Sequence, residues 1–207
     1  MLGVEGRAVN YANIKYCDIA NGIGVRTTLF VSGCRVRCPG CFNAEAWDFE
    51  AGDPFDDAVA ERIWKSLEPA WIDGLTLLGG EPFEPENQAV LRPFLEETRR
   101  RLPSKNIWCF TGYLLDRDLA PADGCRHTSD TEPVLACIDV LVDGPFVASQ
   151  HDISLRFRGS ANQRLIDLVQ TRELWSQARS RGETLASVEP VLWHDERIYE
   201  TRTMQGR

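Results

Sequence analysis

The sequence predicts an α/β domain built on a mostly parallel sheet, and three observations carry that prediction. Apolar runs of strand length, rich in β-branched and aromatic residues, recur along the chain and mostly close on glycine. Between them lie stretches with helical spacing, and strand–helix alternation implies parallel strands joined by crossovers. A chain of 207 residues with 43% hydrophobic content also suits one domain with a real core.

In chain order, residues 1–26 are polar and end in Asn21-Gly22-Ile23-Gly24-Val25-Arg26, which reads as a turn leading into the first strand. Asp18 and Arg26 either line a site or form a structural ion pair. The first strand covers 27–33 and stops at Gly33. Residues 44–49 form a short helical turn whose Trp47 either fills core or touches a ligand. A helix follows over 56–67, with Ala58, Val59, Ile63, Trp64 and Leu67 on one side and Asp53-Pro54 or Asp56 as its start. Residues 74–80 read as a fully buried second strand ending in paired glycines, and 85–102 return to helical spacing through Leu91, Phe94, Leu95 and Leu102. The third strand is 106–112; residues 114–133 are turn-rich and irregular. Val134 to Cys137 closes a short helix before the fourth strand, 138–142, and 164–169 reads as a last strand. The chain is expected to be a single domain, 1–207, with a core over about 10–170. From residue 172 the tail is charged, and a helix, an extension over the sheet or a mobile segment all fit it.

The most informative stretch is Cys34-Arg35-Val36-Arg37-Cys38-Pro39-Gly40-Cys41, a C-x3-C-x2-C set directly after the first strand. Three soft thiolates in one loop suit an iron–sulfur cluster or zinc. Pro39 and Gly40 favour a tight loop that turns the three sulfurs toward one point. Structural zinc takes four ligands, and no second C-x2-C or histidine pair completes the set. A cubane cluster held by three cysteines keeps one iron open to a small molecule. Of the other thiols, Cys109 and Cys137 lie in or before apolar strands and are expected to be buried and inert. Cys17 and Cys125 lie in polar stretches with no ligand spacing. His127, His151 and His194 form no triad or metal set.

A net charge of −8 argues against nucleic acid or anionic membrane as a bulk partner, and Arg99-Arg100-Arg101 reads as a solvated helix end. No apolar run approaches the roughly 18 residues of a membrane span. The first residues lack a signal-peptide layout. Seven cysteines, an odd number, read as reduced-compartment usage, so a cytoplasmic location is expected.

Ligands of parallel α/β folds gather at the carboxyl ends of the strands. The cysteine loop, Gly79-Gly80-Glu81-Pro82, Gly112-Tyr113 and Asp143-Gly144-Pro145 each follow a strand, so all four are expected on one rim.

These stretches resemble the radical S-adenosylmethionine (SAM) enzymes, and most closely the activating proteins of anaerobic ribonucleoside-triphosphate reductase. The resemblance runs through Thr28-Leu29-Phe30-Val31-Ser32-Gly33-Cys34 and Cys38-Pro39-Gly40-Cys41-Phe42-Asn43, then Gly79-Gly80-Glu81-Pro82. It continues in Ile107-Trp108-Cys109-Phe110-Thr111-Gly112-Tyr113 and Asp139-Val140-Leu141-Val142-Asp143-Gly144-Pro145-Phe146 and ends near Arg158-Gly159-Ser160-Ala161-Asn162-Gln163-Arg164. It implies a partial, open (β/α) barrel, since a full barrel needs about 250 residues. It implies a 4Fe-4S cluster on Cys34, Cys38 and Cys41, with SAM chelated at the open iron. Gly79, Gly80 and Glu81 would then meet the methionine ammonium, and Gly40 and Phe42 the adenine. Asp143, and more weakly Asn162, would meet the ribose or carboxylate.

The implied activity is glycyl-radical activation of anaerobic ribonucleoside-triphosphate reductase. One electron from the reduced cluster cleaves SAM to methionine and a 5′-deoxyadenosyl radical, which takes a hydrogen atom from a glycine of the partner. No protein base is required, and the electron comes from a low-potential donor such as flavodoxin or ferredoxin. The rivals are an activase of another glycyl-radical enzyme, another small radical SAM enzyme, a simple iron–sulfur electron carrier, and a zinc-binding protein.

Overall fold

The computed structural model describes residues 9–185 and 188–193. The strands are β1 (Asn10–Asp18), β2 (Arg26–Val31), β3 (Asp53–Pro54), β4 (Gly74–Gly79), β5 (Asn106–Phe110), β6 (Val140–Asp143) and β7 (Arg164–Asp167). The helices are α1 (Asp57–Leu67), α2 (Pro85–Arg101), α3 (Thr131–Cys137) and α4 (Leu168–Ser180). One open sheet runs β3-β1-β2-β4-β5-β6-β7.

The four middle strands β2, β4, β5 and β6 are parallel and stand side by side in chain order. A doubly wound sheet reverses its order part-way; a sequential order with right-handed crossovers keeps every helix on one face. The packing shows this. Leu29, Val31, Leu75, Leu77, Ile107, Cys109 and Leu141 share one core with the apolar residues of all four helices. The alternate positions Trp108, Val140 and Val142 face the other way, joined by Ile23, Phe110, Phe157, Leu165 and Trp193 and by no described helix. That second side is called the inner face below.

The edges depart from an all-parallel sheet, because β1 and β7 run antiparallel to their neighbours. β1 lay inside the polar stretch 1–26 and carries no fully buried residue. Its apolar signal is therefore absent, and pairing with β2 on one side and β3 on the other makes it a strand. β7 ends earlier than its apolar run, because the Asp167 carboxylate accepts from the Gln170 amide at 2.9 Å and so starts α4. Asp56 caps α1 in the same way, accepting from Val59 N at 2.8 Å. The stretch 114–133 contains a π-type turn over Leu115–Leu119 and the start of α3, which begins at Thr131, ahead of the expected Val134. The Arg99–Arg101 run behaves as a helix end: Arg99 reaches the Cys137 carbonyl, and Arg100 and Arg101 reach Glu97.

Among the described residues, no helix is long and apolar enough to cross a membrane.

Candidate functional site

All four predicted stretches meet at the carboxyl ends of β2, β4, β5 and β6. Gly80 N donates to Val31 O at 2.6 Å and Glu81 N to Gly33 O at 2.8 Å, so the β4 loop is stitched onto the start of the cysteine loop. Gly33 N and Cys34 N in turn donate to the Ala46 and Trp47 carbonyls at 2.9 and 3.1 Å, from the 3-10 turn Ala44–Trp47. Both glycines of the pair are required by this contact. A Cβ on Gly79 would stand 2.6 Å from the Phe30 backbone, and one on Gly80 would stand 2.4 Å from the Gly33 carbonyl oxygen. The close approach is thus to the backbone of β2 and the cysteine loop.

Glu81 is buried at 1% exposure, with its carboxylate turned into the scaffold. Its Oε1 accepts from Phe83 N (2.9 Å) and the Thr111 hydroxyl (2.8 Å), and its Oε2 from Gly112 N (2.7 Å). Burial pushes this carboxyl up to about 7, against the pull of those three donors. Asp143 is likewise fully buried: it accepts from Leu115 N (2.8 Å) and from the Arg164 guanidinium (2.9 and 2.5 Å). Arg164 also grips Asp116, so the end of β6 is tied to β7 and to the turn after β5. Asn162 Nδ2 donates to Pro145 O at 2.8 Å, while its Oδ1 is buried without a partner among the described residues.

Within the cysteine loop, Cys34 is buried, Cys38 and Cys41 are partly exposed, and all three are free. Cys41 N donates to Cys38 O at 3.1 Å, and Asn43 N donates toward Cys41 Sγ at 3.4 Å. Burial pushes the Cys34 thiol up to about 11. Cys38 is raised by burial and further by the nearby Cys41. Gly40 has φ +77° and sits 3.6 Å, through an ideal Cβ, from Phe146; Phe42 is 82% exposed.

Among the described residues, no three His, Cys, Asp or Glu side chains form a group that could hold a metal ion. Zinc needs four donors around one centre. The thiolates of a cubane each bind a different iron, so they ring the cluster instead of meeting at one atom. A loop of three soft donors, two of them partly exposed, suits the cluster better than a single tetrahedral ion, for which the described residues present no donor set.

Sequence reasoning missed Glu84. Its carboxylate, fully buried, accepts from Arg35 N at 2.7 Å, Arg35 Nη1 at 2.6 Å and the Tyr113 hydroxyl at 3.2 Å, with Arg126 Nε at 3.5 Å. Arg35 lies 4.3 Å over the Phe49 ring and also bonds Glu86. One carboxylate thereby fastens the cysteine loop to the start of α2 and to the end of β5. The available signal was Pro85 at the first helical position, which marks Glu84 as the residue before the helix.

Other candidates lie elsewhere. Arg26 and Asp18 stand at the amino end of β2 and pair in register, away from the rim. Arg26 bonds Thr76, Ile23, Leu75 and Asn106, and Asp18 bonds Thr28 and Asn21, so no direct ion pair joins them. Cys109 and Cys137 are buried, while Cys17 and Cys125 are exposed. His127 bonds the Leu119 carbonyl, His151 meets the Phe146 ring, and His194 lies outside the described residues.

The family described as a 4Fe-4S single cluster domain matches residues 20–166. Among curated proteins, the anaerobic ribonucleoside-triphosphate reductase-activating protein of Haemophilus influenzae is 43% identical, over 75% of this chain and 96% of its own length. The Escherichia coli K12 protein of the same name is 41% identical over the same shares. That of Enterobacteria phage T4 is 34% identical over 76% of this chain and 93% of its own.

Proposed function

The chain belongs to the anaerobic ribonucleoside-triphosphate reductase-activating proteins, and from that membership we propose how its rim works. It is a radical SAM enzyme that generates a glycyl radical on anaerobic ribonucleoside-triphosphate reductase. The sequential parallel order of β2, β4, β5 and β6, with helices on one face only, supports reading the sheet as the partial barrel of that superfamily.

Cys34, Cys38 and Cys41 are assigned as the ligands of the 4Fe-4S cluster. When bound, the cluster supplies the electron and the open iron site at which SAM is cleaved reductively. The rest is positioning by this chain. Backbone carbonyls of Gly79 and Gly80 are offered to the methionine ammonium, which needs acceptors. Gly40 and the exposed ring of Phe42 flank Cys41 and are offered to the adenine. Glu81 and Asp143 act one step back, since their carboxylates are held by Thr111, Gly112, Leu115 and Arg164. They fix the loop ends from which the ligand-facing backbone projects. An electron donor of low potential, such as flavodoxin or ferredoxin, completes the system.

The observation that carries this reading is the placement of the three-cysteine loop, the glycine pair and the β5 and β6 ends on one rim, tied by Glu81 and Glu84. The test is anaerobic reconstitution with iron and sulfide, reduction, and SAM analysis. Wild type is expected to bind four irons in one cluster and to release 5′-deoxyadenosine. Cys38→Ala should lose both the cluster absorbance and the product; retention of either in that variant overturns the ligand assignment.

A further inference from the structure

The two halves of the cysteine loop are held by different means. The first half is fastened by backbone and charge: Glu81 N donates to Gly33 O, and the Glu84 carboxylate accepts from both the amide and the guanidinium of Arg35. Val36 also packs closely on Gly112, where a Cβ would stand 3.0 Å from its Cγ2. The second half, residues 38–41, turns on itself through the bond from Cys41 N to Cys38 O, and it packs on the loop between β6 and β7.

That loop comes from well along the rim. β6 stands three places from β2 in the sheet, about 14 Å at about 4.8 Å per strand. Its two limbs are zipped together. Asn162 Nδ2 donates to Pro145 O at 2.8 Å, Gln163 Nε2 to Gly144 O at 3.0 Å, Val147 N to the Ser160 hydroxyl at 3.1 Å and Ala161 N to Gln150 O at 2.9 Å. Phe146, partly buried, lies between these limbs and the cysteine loop. A Cβ on Gly159 of the returning limb would stand 3.0 Å from its ring, and one on Gly40 of the cysteine loop 3.6 Å from it. The His151 ring meets it edge-on at 5.7 Å, and Ala148 comes as near to Gly40, 3.9 Å from the same ideal Cβ. The Phe146 backbone N–H also favours the Cys38 thiolate, against the burial that raises its titration.

We propose that Phe146 is a positioning residue for the cluster: reaching across the rim, it braces the half of the ligand loop that carries Cys38 and Cys41 and keeps an apolar surface beside Cys38. An aromatic ring set between two glycine backbones is a rigid stop with few rotamers to lose. Groups that orient metal ligands without touching the metal commonly change affinity about 10–100-fold when removed. This inference rests on the cluster assignment above.

Iron retention and reduction potential test it in the full-length, reconstituted chain without SAM. Phe146→Ala is expected to lose iron to excess bipyridyl about tenfold faster than wild type. Its cluster midpoint should move to higher potential, because water then stabilises the more negative reduced cluster. Phe146→Leu, which keeps an apolar side chain there, should recover most of both changes. Wild-type iron loss and potential in Phe146→Ala overturn the proposal. So does faster iron loss that comes with a lower thermal midpoint of the cluster-free chain and no shift in potential, which marks a structural role only. Should wild type itself take up no 4Fe-4S cluster, the cluster assignment fails and this inference falls with it.

Discussion

Glu81 is the residue on which burial and hydrogen bonding compete most openly. Three donors surround its carboxylate, yet burial, the larger effect, lifts its titration to about 7 from an ordinary 4.5. Between those values the folded chain holds a proton that the unfolded chain has released, so this group's contribution to stability falls as pH rises through that window. Glu81→Gln removes the titration. In the cluster-free chain, the stability of wild type relative to this variant should decline between about pH 5 and about pH 7 and then level off. Denaturant melts across that range check it, and a flat difference contradicts the assignment. The sequence marked Glu81 correctly as a rim residue through the phrase Gly79-Gly80-Glu81-Pro82. The direction of its carboxylate was not legible, because its partners Thr111 and Gly112 lie about thirty positions away and are brought near only by the pairing of β4 with β5. Glu84 was hidden for the same reason, its partners Arg35, Tyr113 and Arg126 being scattered along the chain.

At the scale of elements, the glycine pair decides how close the β4 loop comes to the cysteine loop. A Cβ on Gly80 would face two carbonyl oxygens, of Gly33 at 2.4 Å and Ala46 at 2.8 Å, and neither is the end of a flexible side chain. Gly80→Ala should therefore push the two loops apart, lowering stability by about 1–3 kcal/mol. Urea unfolding together with iron bound per chain after reconstitution measures this; wild-type values in both would show that the contact is slack. Elements with an internal signal were legible. α1 and α2 announced themselves by periodicity and by Asp56 and Pro85, and β2, β4, β5 and β6 by apolar runs. β1 was not, because a strand with no fully buried residue owes its existence to its neighbours and not to its own composition. The last two residues of the run 164–169 are helical because the Asp167 cap outweighs the β-propensity of Leu168 and Val169.

For the molecule as a whole, alternation of strands and helices gave the α/β class, but the order of strands, and hence the division into a helix-covered face and an inner face, is a property of the assembled sheet. The four loops stand on one rim at the carboxyl ends of the parallel strands, with three thiols of one loop among them. The chain is acidic overall, and its rim is held by buried carboxylates paired with Arg35, Arg126 and Arg164, which fasten the loops to one another. The account's central claim is that this rim delivers a radical to a glycine of the reductase. The most direct measurement is the electron paramagnetic resonance spectrum of the reductase after anaerobic mixing with the reduced, cluster-loaded chain and SAM. A glycyl radical doublet that requires SAM and vanishes with Cys38→Ala is predicted; a chain that holds its cluster and consumes SAM while the reductase stays silent would contradict the claim.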